Sequence, residues 1–141
     1  MDDDFFHPAQ REVQQMLETA DRAVCIADTG LRRTIEGEDL ALVRAARFFF
    51  LASRAPDGTL DGSIRCGPVG FVEVDGPSRI VFPDYDGNGM FRSVGDKCVA
   101  AVDVALLFVE LSGQKRKLRV QGCAQVELCA PAQRASAAPD D

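Results

Sequence analysis

The stretch with the clearest chemical potential spans residues 82–96, where an apolar strand runs into glycine-rich residues and then into a helical pattern. The turn Gly87-Asn88-Gly89 opens that helix, so backbone N–H groups are left unpaired at its N-terminus. These groups and the helix dipole together favour an anion. Arg92 and Ser93 stand in the first helical turns, where a guanidinium and a hydroxyl could complete a phosphate site. A plain turn followed by a solvated arginine is the simpler alternative.

A second candidate stretch covers residues 63–71. Ser63 and Arg65 share one face of their predicted strand because side chains alternate along a strand. Gly67 and Gly70 would let a flat ligand approach the backbone closely. The alternative interpretation is an arginine on an edge strand beside a Gly-Pro corner.

A third candidate stretch places four cations within residues 115–119 of an acidic chain. Lys117 and Arg119 fall on one face of a predicted strand, where they could meet a phosphate. Charged residues on an exposed strand also discourage pairing between the edges of two sheets. Both interpretations remain open from the residues alone.

The overall composition narrows the function classes. The net charge of −6 argues against a mainly electrostatic grip on nucleic acid. No apolar run approaches the roughly 20 residues needed to cross a bilayer, so no membrane partner is expected. The acidic start Met1-Asp2-Asp3-Asp4 is unlike a secretory signal peptide, which favours a cytoplasmic location.

The cysteine and histidine content predicts no metal site. The five cysteines are an odd number at wide spacings without a C-x-x-C pair, and His7 is the single histidine. Free thiols in a reducing compartment are expected.

These candidate stretches must be positioned by a mainly β structure with flanking helices. Helices are predicted over residues 8–24 and 38–46, with a connection over 27–37, from apolar residues at helical spacing. Alternation and turn residues predict six strands, over residues 47–53, 60–66, 69–75, 79–83, 102–111 and 116–128.

Strands joined by tight turns suggest an antiparallel sheet that closes into a six-stranded barrel. We therefore expect a single domain over residues 1–129, followed by a disordered tail over 130–141 that is rich in Ala, Pro, Gln, Ser and Asp. Several strands are apolar on both faces, so a second copy of the chain is expected to complete their burial.

Taken in order, four stretches resemble the pyridoxamine 5′-phosphate oxidase-like family of FMN-binding split β-barrels. The resemblance covers about residues 38–128. The stretches are Arg47-Phe48-Phe49-Phe50-Leu51-Ala52-Ser53 followed by Asp57-Gly58; Ser63-Ile64-Arg65-Cys66-Gly67-Pro68-Val69-Gly70-Phe71; residues 82–95; and Leu106-Leu107-Phe108 followed by Leu118-Arg119-Val120-Gln121-Gly122.

The resemblance implies an FMN near a homodimer interface, with hydride or electron transfer at its isoalloxazine ring. Ser63 and Arg65 would contact its phosphate and ribityl chain, and Phe71 would lie near the flavin. Residues 85–93 would hold the phosphate. Lys117 and Arg119 could meet the phosphate or the anionic edge of the reduced ring. The implied cofactor contacts are Ser63, Arg65, Phe71, Tyr85, Gly87, Asn88, Gly89, Met90, Arg92, Ser93, Lys117 and Arg119.

Two departures from the family pattern limit what carries over. Asp96 stands where the family often has Asn, and it adds negative charge close to the implied phosphate. The chain also lacks the Arg- and His-containing C-terminal segment of true pyridoxamine phosphate oxidases, so vitamin B6 oxidation is not expected.

The expected function is therefore an FMN-dependent oxidoreductase whose substrate is unknown and whose electron donor is a molecule such as NAD(P)H. The alternatives are a non-catalytic flavin-binding or flavin-sensing module, and a barrel that binds a deazaflavin or haem. His7 lies in the N-terminal arm, which disfavours a haem with a histidine ligand.

Overall fold

A computed structural model of the chain describes residues 5–83 and 101–127. The chain divides into two compact units, residues 1–34 and 35–141. The predicted phosphate segment, with Asp96, and the predicted tail from residue 130 lie outside the described residues. Among the described residues, no helix is both long and apolar enough to cross a membrane.

Within its described residues, 5–34, the first unit contains two helices, α1 (Pro8–Met16) and α2 (Ala20–Gly30). The prediction of one helix over 8–24 was wrong, because the chain turns at Glu18, whose φ of 55° lies in the left-handed region. The prediction of a connection from residue 27 was also wrong, since α2 continues to Gly30. His7 caps α1: its backbone N–H donates to Gln10 Oε1, and its Nδ1 accepts from the Gln10 backbone.

The second unit begins with α3 (Gly37–Ala45), close to the predicted 38–46. Glu38 and Asp39 in its first turn and Arg44 in its last turn match the helix dipole. Leu42 and Val43 are buried and belong to the core of this unit. The helix thereby covers part of one sheet face.

In the described part of the chain, six strands follow α3, as the sequence predicted, and all of their pairings are antiparallel. The first, second, fifth and sixth form a four-stranded sheet in the order β2-β1-β5-β6, and the third and fourth form a separate two-stranded sheet. The strands are β1 (Phe48–Arg54), β2 (Leu60–Cys66), β3 (Glu73–Val74), β4 (Ile80–Val81), β5 (Val102–Val109) and β6 (Lys117–Ala124).

The structure corrects the prediction of a closed six-stranded barrel. Within residues 5–83 and 101–127, the strands form two sheets and no closed barrel. The reason lies in β3 and β4, which are two residues long and pair with each other. Such short strands provide too few ladder positions to join the four-stranded sheet on both sides.

The third predicted strand, residues 69–75, is mostly a corner. The Phe71 backbone N–H donates to the Pro68 carbonyl, and Gly70 has a φ of 90° that only glycine adopts readily. This bend directs both Phe71 and Val72 into the core, whereas in a regular strand the two side chains would point to opposite sides.

The core lies on one face of the four-stranded sheet. Phe49 is its centre: its ring centroid lies 5.9 Å from that of Phe71, 5.1 Å from that of Phe108 and 4.8 Å from that of Phe82. Offset and edge-to-face aromatic packing of this kind adds to the burial of apolar surface. The buried core residues are Leu42, Val43, Phe49, Leu51, Phe71, Val72, Val102, Val104, Leu106 and Phe108.

Candidate functional site

The edge strand β2 presents its polar side chains to the core face. Residues directly opposite one another on paired strands share a face, and Arg65 lies opposite the buried Phe49, while Ser63 lies opposite the buried Leu51. Asp61 follows on the same face. All three polar side chains are half-buried. The prediction that Ser63 and Arg65 share a face is thus confirmed.

Ser53 on β1 completes this set. It lies opposite Asp61, and only 3% of it is exposed. We call Ser53, Asp61, Ser63 and Arg65 the polar row. The row runs along the side of β2 that faces the core, at the edge of the four-stranded sheet.

Two hydroxyls of the polar row are buried without a hydrogen bond. The Oγ atoms of Ser53 and Ser63 find no partner among the described residues. Buried polar atoms in proteins nearly always have partners, and an unmet hydroxyl carries a desolvation penalty. Two such atoms on the neighbouring strands β1 and β2 make the polar row a candidate site for a polar ligand.

The opposite face of β2 is apolar and open to solvent. Leu60 and Ile64 are 75% and 53% exposed, and Phe50 on β1 is 46% exposed. Since side chains alternate, these residues lie on the sheet face away from the core. We call this surface the outer apolar face; its members are Phe50, Ala52, Leu60, Ile64, Ala105 and Leu107.

A shallow open depression of about 540 Å³ lies over the outer apolar face. Its volume falls within the roughly 300–1,000 Å³ typical of ligand pockets. Arg119 and Gln121 line its β6 side. The surface can therefore accept a flat apolar group or a second apolar surface, with one cation at the border.

The predicted cations on β6 are separated from the polar row in two ways. Lys117 and Arg119 share a face, as predicted, but they lie opposite Val109 and Leu107, on the outer face. Strands β6 and β2 are also the two outermost strands of the four-stranded sheet. One copy of the chain therefore does not bring Arg119 and Arg65 together.

Arg116, a third cation of this cluster, has a structural role. Its guanidinium lies 3.4 Å from Glu110 across the β5–β6 turn and 3.3 Å from Glu38 at the start of α3. These contacts join the hairpin to the helix. Within the stretch 115–119, Arg116 therefore stabilises the fold, whereas Lys117 and Arg119 lie on the outer face.

Phe71 and Gly67 form part of the core. Phe71 is 7% exposed and stacks on Phe49. A Cβ on Gly67 would lie 2.5 Å from Cγ of Phe71, so the space beside this glycine is filled by the ring. The Cβ side of Gly67 is therefore closed to a flat ligand, whereas a Cβ on Gly70 would meet no atom of the described residues within 4 Å. The predicted contact of Phe71 with flavin stays a prediction.

The other predicted cofactor residues lie outside the described residues. They are Tyr85, Gly87, Asn88, Gly89, Met90, Arg92 and Ser93.

Within residues 5–83 and 101–127, no group of three or more His, Cys, Asp or Glu side chains is arranged to hold a metal ion. Cys25, Cys66 and Cys123 are exposed free thiols.

Sequence reasoning missed Ser53 and Asp61. Neither was predicted as a site residue: Ser53 ends the strand predicted over residues 47–53, and Asp61 lies in the strand predicted over residues 60–66. A signal was present, since a serine follows the run of apolar residues in β1 and alternates with Leu51 and Phe49. Only the register shows that the serine lies opposite the aspartate.

Comparisons of this chain with protein-family models, curated proteins and solved structures find no match.

Proposed function

We propose that this protein is an FMN-binding flavoprotein that works as a homodimer, as an FMN-dependent oxidoreductase. The observation that carries the proposal is that Ser63 and Arg65, both half-buried, lie on one face of β2. The Ser63 hydroxyl there lacks a hydrogen-bond partner among the described residues. The resemblance of residues 38–128 to flavin-binding split barrels supplies the cofactor class.

The described residues fit a phosphate ester. A guanidinium provides charge-assisted hydrogen bonds to a phosphate, and a neighbouring hydroxyl adds one donor. Arg65 and Ser63 would hold the phosphate end of the cofactor. The buried Ser63 oxygen is then satisfied by the bound ligand. When bound, the isoalloxazine ring would supply hydride or electron transfer, with an electron donor such as NAD(P)H.

A second copy of the chain is the proposed cover for the outer apolar face. An exposed apolar patch that is rimmed by polar groups marks an interaction surface, and Ile64 and Phe50 lie within it. Lys117 and Arg119 border the same face, so in a homodimer they would lie at the interface, on the side of the sheet away from Ser63 and Arg65.

We also propose that the two sheets are the two parts of a split barrel. Val74 of β3, Ile80 of β4 and Phe82 pack against the core cluster of the four-stranded sheet. Both sheets therefore share one core, which is what two parts of a barrel require.

The first test is an absorbance spectrum of the purified protein, followed by titration of the apoprotein with FMN. We expect visible flavin absorbance that bleaches on reduction. Arg65→Ala should weaken FMN binding by about 10- to 100-fold, since hydrogen bonds to charged groups contribute about 1.5–3 kcal/mol. Arg79→Ala is the matched control, because Arg79 is exposed and pairs with Asp75 at 2.6 Å.

A colourless protein that takes up no added FMN would overturn the proposal. Equal affinities in wild type and Arg65→Ala would remove Arg65 from the site. Turnover with NADH or NADPH and an artificial acceptor then separates an oxidoreductase from a module that only binds or senses flavin. The oxidoreductase oxidises the nicotinamide continuously, whereas the binding module holds flavin without turnover.

A further inference from the structure

We infer that Ser53 and Asp61 form a second half of the same site, which binds the hydroxylated ribityl chain of the flavin while Arg65 and Ser63 take the phosphate. The inference rests on the proposed function and deepens it. Asp61 lies outside the four stretches that suggested flavin binding, and Ser53 ends the first of them without an assigned cofactor contact.

The polar row presents three different chemical groups in a fixed order. From Asp61 through Ser63 to Arg65, the row reads carboxylate, hydroxyl and guanidinium on one strand face. At about 3.4 Å per residue, four residues of strand span roughly 14 Å. Ser53 lies opposite Asp61, so it adds a hydroxyl at the carboxylate end.

The two ends of the polar row carry opposite charges. A carboxylate repels a phosphate and accepts hydrogen bonds from hydroxyl groups, so the Asp61 end is suited to a neutral polyol. A guanidinium attracts the phosphate and cannot accept a hydrogen bond, so the Arg65 end is suited to the anion. A sugar alcohol phosphate carries these two features in that order.

The hydroxyl of Ser53 is buried and lacks a hydrogen-bond partner in the described part of the chain. The residue is 3% exposed, and its Oγ has no hydrogen-bond partner among the described residues, although Asp61 lies on the neighbouring strand. A buried serine with no partner destabilises the protein unless a ligand group satisfies it. A ribityl hydroxyl can donate to one oxygen and accept from another, so it can bridge Ser53 and Asp61.

The test uses three ligands on the full chain: FMN, riboflavin, which lacks the phosphate, and lumiflavin, which lacks the whole ribityl phosphate chain. We expect Ser53→Ala to weaken FMN and riboflavin about 3- to 10-fold, and Asp61→Ala about 10-fold or more. Lumiflavin binding should not change. Ser78→Ala, in the exposed turn before β4, is the control and should leave all three affinities as in wild type.

A second readout needs no flavin. Because Ser53→Ala removes a buried hydroxyl without a partner, the melting temperature of the apoprotein should rise by about 2–6 °C. An unchanged or lower melting temperature would show that the hydroxyl is already satisfied, and would overturn the inference.

The outcomes also separate this inference from the proposed function. If wild type binds FMN and riboflavin but both variants bind them equally well, the ribityl assignment fails and flavin binding stands. If the variants lose lumiflavin to the same extent, the residues act on the ring or the fold, and the assignment fails again. If wild type binds no flavin, the proposed function itself fails.

Discussion

The ring of Phe71 occupies the space where a side chain on Gly67 would lie, with Cγ of Phe71 2.5 Å from the position of a Gly67 Cβ. This contact connects the end of β2 to the core, since Phe71 in turn stacks on Phe49. The glycine is therefore required by packing, at a position where the sequence suggested access for a ligand.

Gly67→Ala should destabilise the protein by roughly 1–3 kcal/mol, because the added methyl overpacks against the Phe71 ring. Denaturant unfolding measures the change. Gly62→Ala is the matched control: a Cβ there meets no atom within 4 Å, so its cost should be small or absent. Equal stability of the two variants would contradict the packing argument.

Phe49→Ala should reduce the free energy of unfolding by about 3–5 kcal/mol, since it empties the centre of the aromatic core. The neighbouring Phe50 is 46% exposed on the other face of the same strand. Phe50→Ala should cost under about 1 kcal/mol when the protein is dilute enough to be monomeric. A larger loss from Phe50→Ala than from Phe49→Ala would reverse the assignment of the two sheet faces.

Ile64→Lys should dissociate the proposed homodimer, because a charge placed in the outer apolar face must be desolvated when two copies meet. Sedimentation of wild type at micromolar concentration should give a dimer, and that of the variant a monomer. Leu111→Lys introduces the same charge at a residue that is 74% exposed and outside that face, so it should remain dimeric. A monomeric wild type would refute the dimer.

The turn between β1 and β2 should stabilise the fold in a pH-dependent way. The backbone N–H of Thr59 donates to Oδ1 of Asp57 at 2.9 Å, and this bond, with one from the Thr59 side chain, lowers the pKa of Asp57 from its ordinary 3.8. A lowered pKa in the folded state gives stabilisation that is present above pH 3.8 and lost as the pH falls through the folded value.

Asp57→Ala should therefore lower the melting temperature at pH 7 and have progressively less effect below pH 3.8. Asp57→Asn keeps an acceptor oxygen without the charge, so it should lose less at pH 7 and lack the pH dependence. A melting-temperature difference between wild type and Asp57→Ala that is the same at pH 7 and pH 3 would contradict this account.

The local pattern of the chain predicted much of the secondary structure. Alternation along residues 117–124 and the turn at Asp57 predicted strands that the structure confirms, because both depend on neighbours in sequence. The helix break at Glu18 was missed, since the apolar spacing continues across it and a single left-handed residue leaves no periodic signal.

The candidate site was predicted only in part. The shared face of Ser63 and Arg65 follows from strand alternation, and the structure confirms it. The separation of Arg65 from Arg119 could not be predicted, because it depends on the strand order β2-β1-β5-β6. Strand order is set by contacts between residues far apart in the chain.

By itself, the sequence determined which side chains of β2 lie together: Asp61, Ser63 and Arg65 on one face, Leu60 and Ile64 on the other. Only the tertiary structure decided which face of β2 meets the core, and that face is the polar one. The physical reason is register: the pairing that buries Phe49 and Leu51 of β1 fixes the orientation of β2, whose own apolar residues then face outward.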